Sequence, residues 1–148
     1  MVSVVVSLAL LLALPVWAQE PAAIGLVKST SGVVTLLRSQ TSQPATPGMV
    51  LHEGDSLMTG DKASSVAVTL VDDTRLALGP RSRLVLRHFS WDATRQTGQM
   101  RAELPAGTLA VQSGLLGKRE RGNSLAVTTP KATVRVSDAQ VGIRAGKE

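Results

Sequence analysis

The most informative absence in this 148-residue sequence is cysteine, which does not occur at all. Without cysteine the chain can form no disulfide, carry no thiolate nucleophile and build no cysteine-based zinc site. Aromatic residues are nearly as scarce, with no tyrosine, one phenylalanine and two tryptophans. Proteins that bind single-stranded nucleic acid stack bases on aromatic side chains. We therefore expect no nucleic-acid partner.

Residues that catalyse hydrolysis are also sparse. The sequence holds two histidines, His52 and His88, and contains no nucleophile elbow, zinc-protease motif or phosphate loop. His52, Asp55 and Ser56 are the residue types of a catalytic triad. Glu53 with Asp55 would supply the carboxylates of a glycosidase. Because these residues share one Gly-Asp turn segment, we interpret them as structural and predict a protein that is not an enzyme, with no catalytic residue, cofactor or metal.

The longest apolar run lies at the N-terminus. The 16 residues from Val2 to Trp17 carry no charge, whereas a membrane-spanning helix needs about 20 residues. The run ends in Val16-Trp17-Ala18, which places small residues at the positions that signal peptidase reads. We predict a signal peptide that is cut after Ala18, and hence a periplasmic protein. Since no basic residue precedes the run, an uncleaved membrane anchor is the alternative.

The rest of the sequence predicts one all-β domain. Valine and threonine are frequent, and β-branched residues favour strands. Between residues 66 and 90, pairs of apolar residues at i and i+2 recur every eight residues, and each pair shares one face of a strand. These inward positions are Val68, Leu70, Leu76, Leu78, Leu84 and Leu86. Paired in parallel, such blocks predict a β-solenoid-like domain; paired antiparallel, they predict a meander or an antiparallel β-sandwich.

The predicted organisation is a signal peptide (1–18), a short linker (19–25), the β domain (26–144) and a tail (145–148). The net charge is +5, which suits an anionic partner such as lipid head groups, lipopolysaccharide or acidic wall polymers. Simple solubility is the alternative explanation of the charge. The possible contacts with an anionic partner are Arg81, Arg83 and Arg87 in one group and Lys118, Arg119 and Arg121 in the other.

Several motifs in this order resemble the FecR domain family. They include a Gly-Val strand at Gly32 and the segment Gly48-Met-Val-Leu-His-Glu-Gly-Asp-Ser-Leu-Met-Thr-Gly60. The turn Asp72-Asp-Thr74, the repeat from Leu76 to Leu86, the segment Leu104 to Val111, and Val127-Thr-Thr-Pro-Lys-Ala-Thr-Val-Arg135 follow. Two departures stand out, because Asp73 replaces the usual turn glycine and Val136-Ser137 replaces Gly-Thr.

The resemblance implies a β-solenoid-like domain of the kind that iron-transport regulators carry in the periplasm. The absence of a catalytic motif favours binding over catalysis, so we expect a non-enzymatic interaction module of the cell envelope with a place in signalling. The partner would be an envelope protein, paired through an exposed strand edge, or an anionic wall or membrane component. The alternatives are a structural subunit of the envelope and an enzyme that hydrolyses glycans or esters.

Overall fold

The structure is a computed structural model that describes residues 15–118 and 122–146. Most of the predicted signal peptide lies outside the described residues. No helix in the described part is long and apolar enough to cross a membrane. The described strands are β1 Ala23–Ser31, β2 Val34–Arg38, β3 Thr41–Pro44, β4 Val50–His52, β5 Ser56–Thr59, β6 Ser65–Leu70, β7 Arg75–Leu78, β8 Arg83–Asp92, β9 Thr97–Gln112, β10 Ser124–Thr128, β11 Thr133–Arg135 and β12 Gln140–Ala145.

These strands form a curled sheet whose path runs β3-β2-β5-β8-β9-β7-β6-β1-β4. The first half of β9 pairs with β8 and β10, and its second half pairs with β7 and β12. A straight strand of this length would extend about 50 Å. Yet the Asn123 side chain hydrogen-bonds both to Gly98, near the start of β9, and to Leu115, just beyond its end. The strand is therefore bent, and its two halves lie on the two sides of one core.

Gly107 allows this bend in β9. Its φ of +93° lies in the left-handed region that residues with a Cβ rarely adopt. A Cβ at this position would also collide with Ser82. The Ser82 hydroxyl accepts a hydrogen bond from the Thr108 backbone N–H at 2.9 Å and donates one to the Pro80 carbonyl. The bend thus depends on the absence of a Cβ at Gly107 and on the buried hydroxyl of Ser82.

The all-β class and the inward positions predicted from the eight-residue repeat are confirmed. All six predicted positions are at most 2% exposed. The solenoid arrangement of these blocks needs correction, however. β6 and β7 pair antiparallel with Val68 opposite Leu76, while β8 pairs with β5 and β9 and not with β7. The tight turn at Asp73, with φ of +67°, reverses the chain, so the blocks cannot stack in parallel.

A 3₁₀ turn, Leu115–Gly117, follows β9 and is held by Asp72. The Asp72 side chain is fully buried and accepts hydrogen bonds from the Thr74 hydroxyl at 2.5 Å and the Leu116 backbone N–H at 3.1 Å. The Leu115 N–H donates to the Asp72 carbonyl. A buried carboxylate must have such partners, because an unpaired one is costly. The contacts fix the position of Lys118, the residue after the turn.

A second buried carboxylate, Asp55, lies in the turn between β4 and β5 and connects it to β2. It is 1% exposed and receives two parallel hydrogen bonds from Arg38 on β2, at 2.9 and 2.6 Å. The His52 backbone N–H donates to the same carboxylate at 2.8 Å, and Arg38 also donates to the Val50 carbonyl on β4. The hydrogen bonds that Arg38 donates to Asp55 raise the pKa of Arg38 above its usual value. This paired geometry is the strong form of ion pair.

We expect Asp55→Ala to lower the free energy of unfolding by about 2 kcal/mol, because it leaves Arg38 and the His52 N–H without their partner. The figure is below that of a fully buried pair, since the Arg38 side chain is 34% exposed and can reach water. Urea unfolding of residues 19–148 measures the change. Glu103→Ala is the matched control, because it removes the carboxylate of an exposed ion pair, and exposed pairs contribute little. Equal losses in the two variants would contradict this role of Asp55.

Candidate anion-binding surface

The predicted basic residues lie in different parts of the domain. Arg81 shares a cleft with Gly107 and Ala145, at one end of β12. Lys118 follows Gly117, whose carbonyl accepts a hydrogen bond from the Asp138 N–H near the other end of β12. The length of β12 separates these ends by roughly 17 Å. The structure therefore does not bring Arg81 and Lys118 together, while Arg119 and Arg121 lie outside the described residues.

The other two predicted arginines have partners in the protein. Arg83 is exposed, and its Nε donates to the Ser56 hydroxyl at 3.3 Å. Arg87 forms an ion pair with Glu103 at 2.9 Å, with both side chains substantially exposed. The hydrogen bond from Arg87 holds the pKa of Glu103 below its usual value. Arg87 thus offsets the charge of Glu103.

Two arginines that the sequence analysis did not select form a row with an alanine. The register places Ala126 of β10 between Arg101 of β9 and Arg135 of β11. Both arginines are exposed, and the neighbours Met100, Ala102 and Val127 are buried, so the row faces solvent. Two strand spacings put the arginine Cα atoms about 10 Å apart. The small side chain between them leaves both guanidinium groups accessible.

We call the outward side of β8, β9, β10 and β11 the basic face, defined by Arg87, Arg101, Arg135 and Glu103. No carboxylate of the described residues lies within ion-pair distance of Arg101 or Arg135. Glu103 is committed to Arg87. The basic face therefore presents a local positive charge, and Arg135 also lines a cleft with Lys118 at its border.

The residues considered for catalysis are engaged in structural contacts. Asp55 is bound by Arg38. The Glu53 carboxylate accepts a hydrogen bond from the Phe89 backbone N–H at 3.0 Å and lies 3.1 Å from His88 Nδ1. His52 Nδ1 is buried and has no hydrogen-bond partner among the described residues. Both a triad and a glycosidase pair would need the Asp55 carboxylate, and Arg38 already binds it.

A family model described as FecR protein matches residues 55–148, more than half of the chain. The chain belongs to the FecR family. No curated protein and no solved structure matches it. FecR domains occur in proteins connected with envelope signalling, and the family is not known for enzymatic activity.

The FecR match covers the whole basic face, from β8 to β11. The motif residues of this FecR domain have structural roles, because Asp55, Asp72 and Ser82 are buried and hydrogen-bonded at turns. Arg101 and Arg135 were missed because their proximity depends on the parallel pairing of β9 with β10. The available signal was an arginine between apolar residues in both Met-Arg-Ala and Val-Arg-Val.

Proposed function

We propose that this protein is a non-enzymatic, periplasmic FecR-domain module that binds an anionic wall or membrane component through its basic face. The observation that carries the proposal is the row of Arg101, Ala126 and Arg135, which exposes two arginines with no carboxylate partner among the described residues. Exposed cations gathered on one surface attract anionic polymers and lipid surfaces. A place in envelope signalling agrees with the family.

A protein partner in the envelope is a second candidate. In the described sheet, β12 is an edge strand of six residues that pairs with β9 alone. Such an edge can accept a strand of another protein through backbone hydrogen bonds. The same edge would serve a structural subunit of an envelope assembly. The basic face favours the anionic component, because edge pairing makes no use of Arg101 or Arg135.

We expect the double variant Arg101→Gln, Arg135→Gln to bind anionic vesicles about 30-fold more weakly, since each cation near an anionic surface contributes about 1 kcal/mol. Co-sedimentation with phosphatidylglycerol vesicles, and with isolated cell-wall fragments, measures the affinity. The matched control is Arg75→Gln, Arg144→Gln, which removes two exposed arginines from the outer side of β7 and β12.

The control should change the affinity much less than the basic-face variant does. If both double variants lose affinity equally, only net charge matters and the basic face has no special role. If the parent protein binds neither vesicles nor wall fragments, the anionic component is the wrong partner and the strand edge becomes the better candidate.

The periplasmic location depends on the predicted signal peptide. We expect the product recovered from the periplasm of a Gram-negative host to begin at Gln19, as determined by intact mass. A bulky residue at the cleavage site should block processing, so Ala18→Phe should leave the precursor in the membrane fraction. A parent protein that also stays uncut in the membrane would support the uncleaved anchor instead.

The absence of catalysis is testable at His52. We expect no hydrolysis of glycan or ester substrates above background, and no difference between the parent protein and His52→Ala, because Asp55 is committed to Arg38. A panel of chromogenic substrates provides the measurement, and a melting curve shows that the variant is folded. A parent activity that disappears in a folded His52→Ala protein would establish an enzyme.

A further inference from the structure

The border of the basic face contains a small polar cleft between the 3₁₀ turn, β10 and β11. Its volume is about 120 Å³, and the polar residues that line it are Lys118, Asn123, Ser124, Arg135 and Ser137. We propose that this cleft binds a phosphoryl group. The inference deepens the proposed function and rests on it, since it names the chemical group that the anionic component would present.

The geometry of the sheet gathers the donors on one side. Ala126 lies opposite Arg135, and the Val136 N–H donates to the Leu125 carbonyl. Ser124 lies two residues before Ala126 on β10, and residues two apart on a strand share a face, so its hydroxyl lies on the side of Arg135. Ser137 follows β11 and lines the same cleft. Lys118 closes the cleft from the 3₁₀ turn that Asp72 holds in place.

The donors of the cleft are available for a ligand. Within residues 15–118 and 122–146, the side chains of Lys118, Ser124, Arg135 and Ser137 form no hydrogen bond or ion pair. Asn123 differs, because its side-chain amide accepts a hydrogen bond from the Gly98 N–H and donates to the Gln96 and Leu115 carbonyls. These bonds fix the position of Asn123 at the rim of the cleft.

The size and the charge of the cleft indicate which group fits. Pockets for whole small molecules range from about 300 to 1,000 Å³, so 120 Å³ has room for one functional group on a larger molecule. A phosphate monoester carries a charge of about −1.5 to −2 and three acceptor oxygens. Two cations and two hydroxyl donors match that group. A carboxylate brings one charge and two oxygens, and would leave part of the cleft without partners.

The test uses the mature protein with inorganic phosphate and glycerol phosphate as probes, titrated by calorimetry at constant ionic strength. We expect Lys118→Gln and Arg135→Gln each to weaken binding about tenfold or more, and Ser124→Ala to weaken it about threefold without any change of charge. Arg75→Gln and Arg144→Gln are the matched controls. Each removes one exposed cation outside the cleft and should change the affinity less than twofold, because salt screens distant charges.

The outcomes separate a built site from general attraction. Equal losses of phosphate affinity in all the cation variants, with no effect of Ser124→Ala, would overturn the phosphoryl site. Acetate binding as tight as phosphate binding would overturn it too, and so would a parent protein that binds no phosphate. If vesicles that carry a phosphate-monoester lipid displace bound inorganic phosphate, the ligand is a lipid head group. If glycerol phosphate displaces it and these vesicles do not, the ligand is a soluble or wall-derived phosphate.

The same measurements distinguish this site from the proposed function. If the double variant of Arg101 and Arg135 binds vesicles more weakly than the parent protein while the parent protein binds no phosphate, the result supports the basic face and contradicts the phosphoryl site. If phosphate binds with the expected variant pattern but the protein retains no vesicles or wall fragments, the phosphoryl site is supported. Binding of an anionic envelope component through the basic face is then contradicted.

Discussion

The bend of β9 is the constraint on which the rest of the structure depends. Four strands pair with it: β8 and β10 along its first half, and β7 and β12 along its second. A straight β9 would hold these strands in one flat layer with an open apolar side. Because the strand folds over at Gly107, buried residues of both halves, such as Met100 and Leu109, meet in a single cluster. The domain needs no disulfide for this, since the sheet covers its own core.

The family motifs follow from the same constraint. A sheet that turns back on itself has tight turns close to its core, and backbone groups there are shielded from water. Asp55, Asp72 and Ser82 supply the hydrogen bonds that water cannot. These motif residues therefore fix the turns of the fold, while the outward positions of the strands are not constrained by the core.

Much of the fold could be predicted from the sequence, but the pairing of its strands could not. The alternation that marks Val68 and Leu76 as inward is the same in parallel and antiparallel sheets, so it carries no information about direction. The positive φ of Asp73 closes the tight turn that makes β6 and β7 antiparallel. An aspartate in a turn can adopt this conformation but does not require it. Of the candidate site, Arg87 and Lys118 were predicted. Arg101 and Arg135 were not, because 34 residues separate them in sequence and only the parallel pairing of β9 and β10 brings them together.

Net charge alone does not make a binding site, and the arrangement on this surface shows why. Charges on an open sheet are screened beyond about 8 Å at physiological salt, so in the proposed function the row of Arg101 and Arg135 would act mainly by attracting an anionic surface. Selectivity needs donors that converge on one group and lose little freedom when it binds. The cleft of Lys118, Ser124, Arg135 and Ser137 has that convergence, and Asp72 and Asn123 fix its walls. Arg135 belongs to both the row and the cleft, so in the proposed function it would link attraction of the partner to recognition of its chemistry.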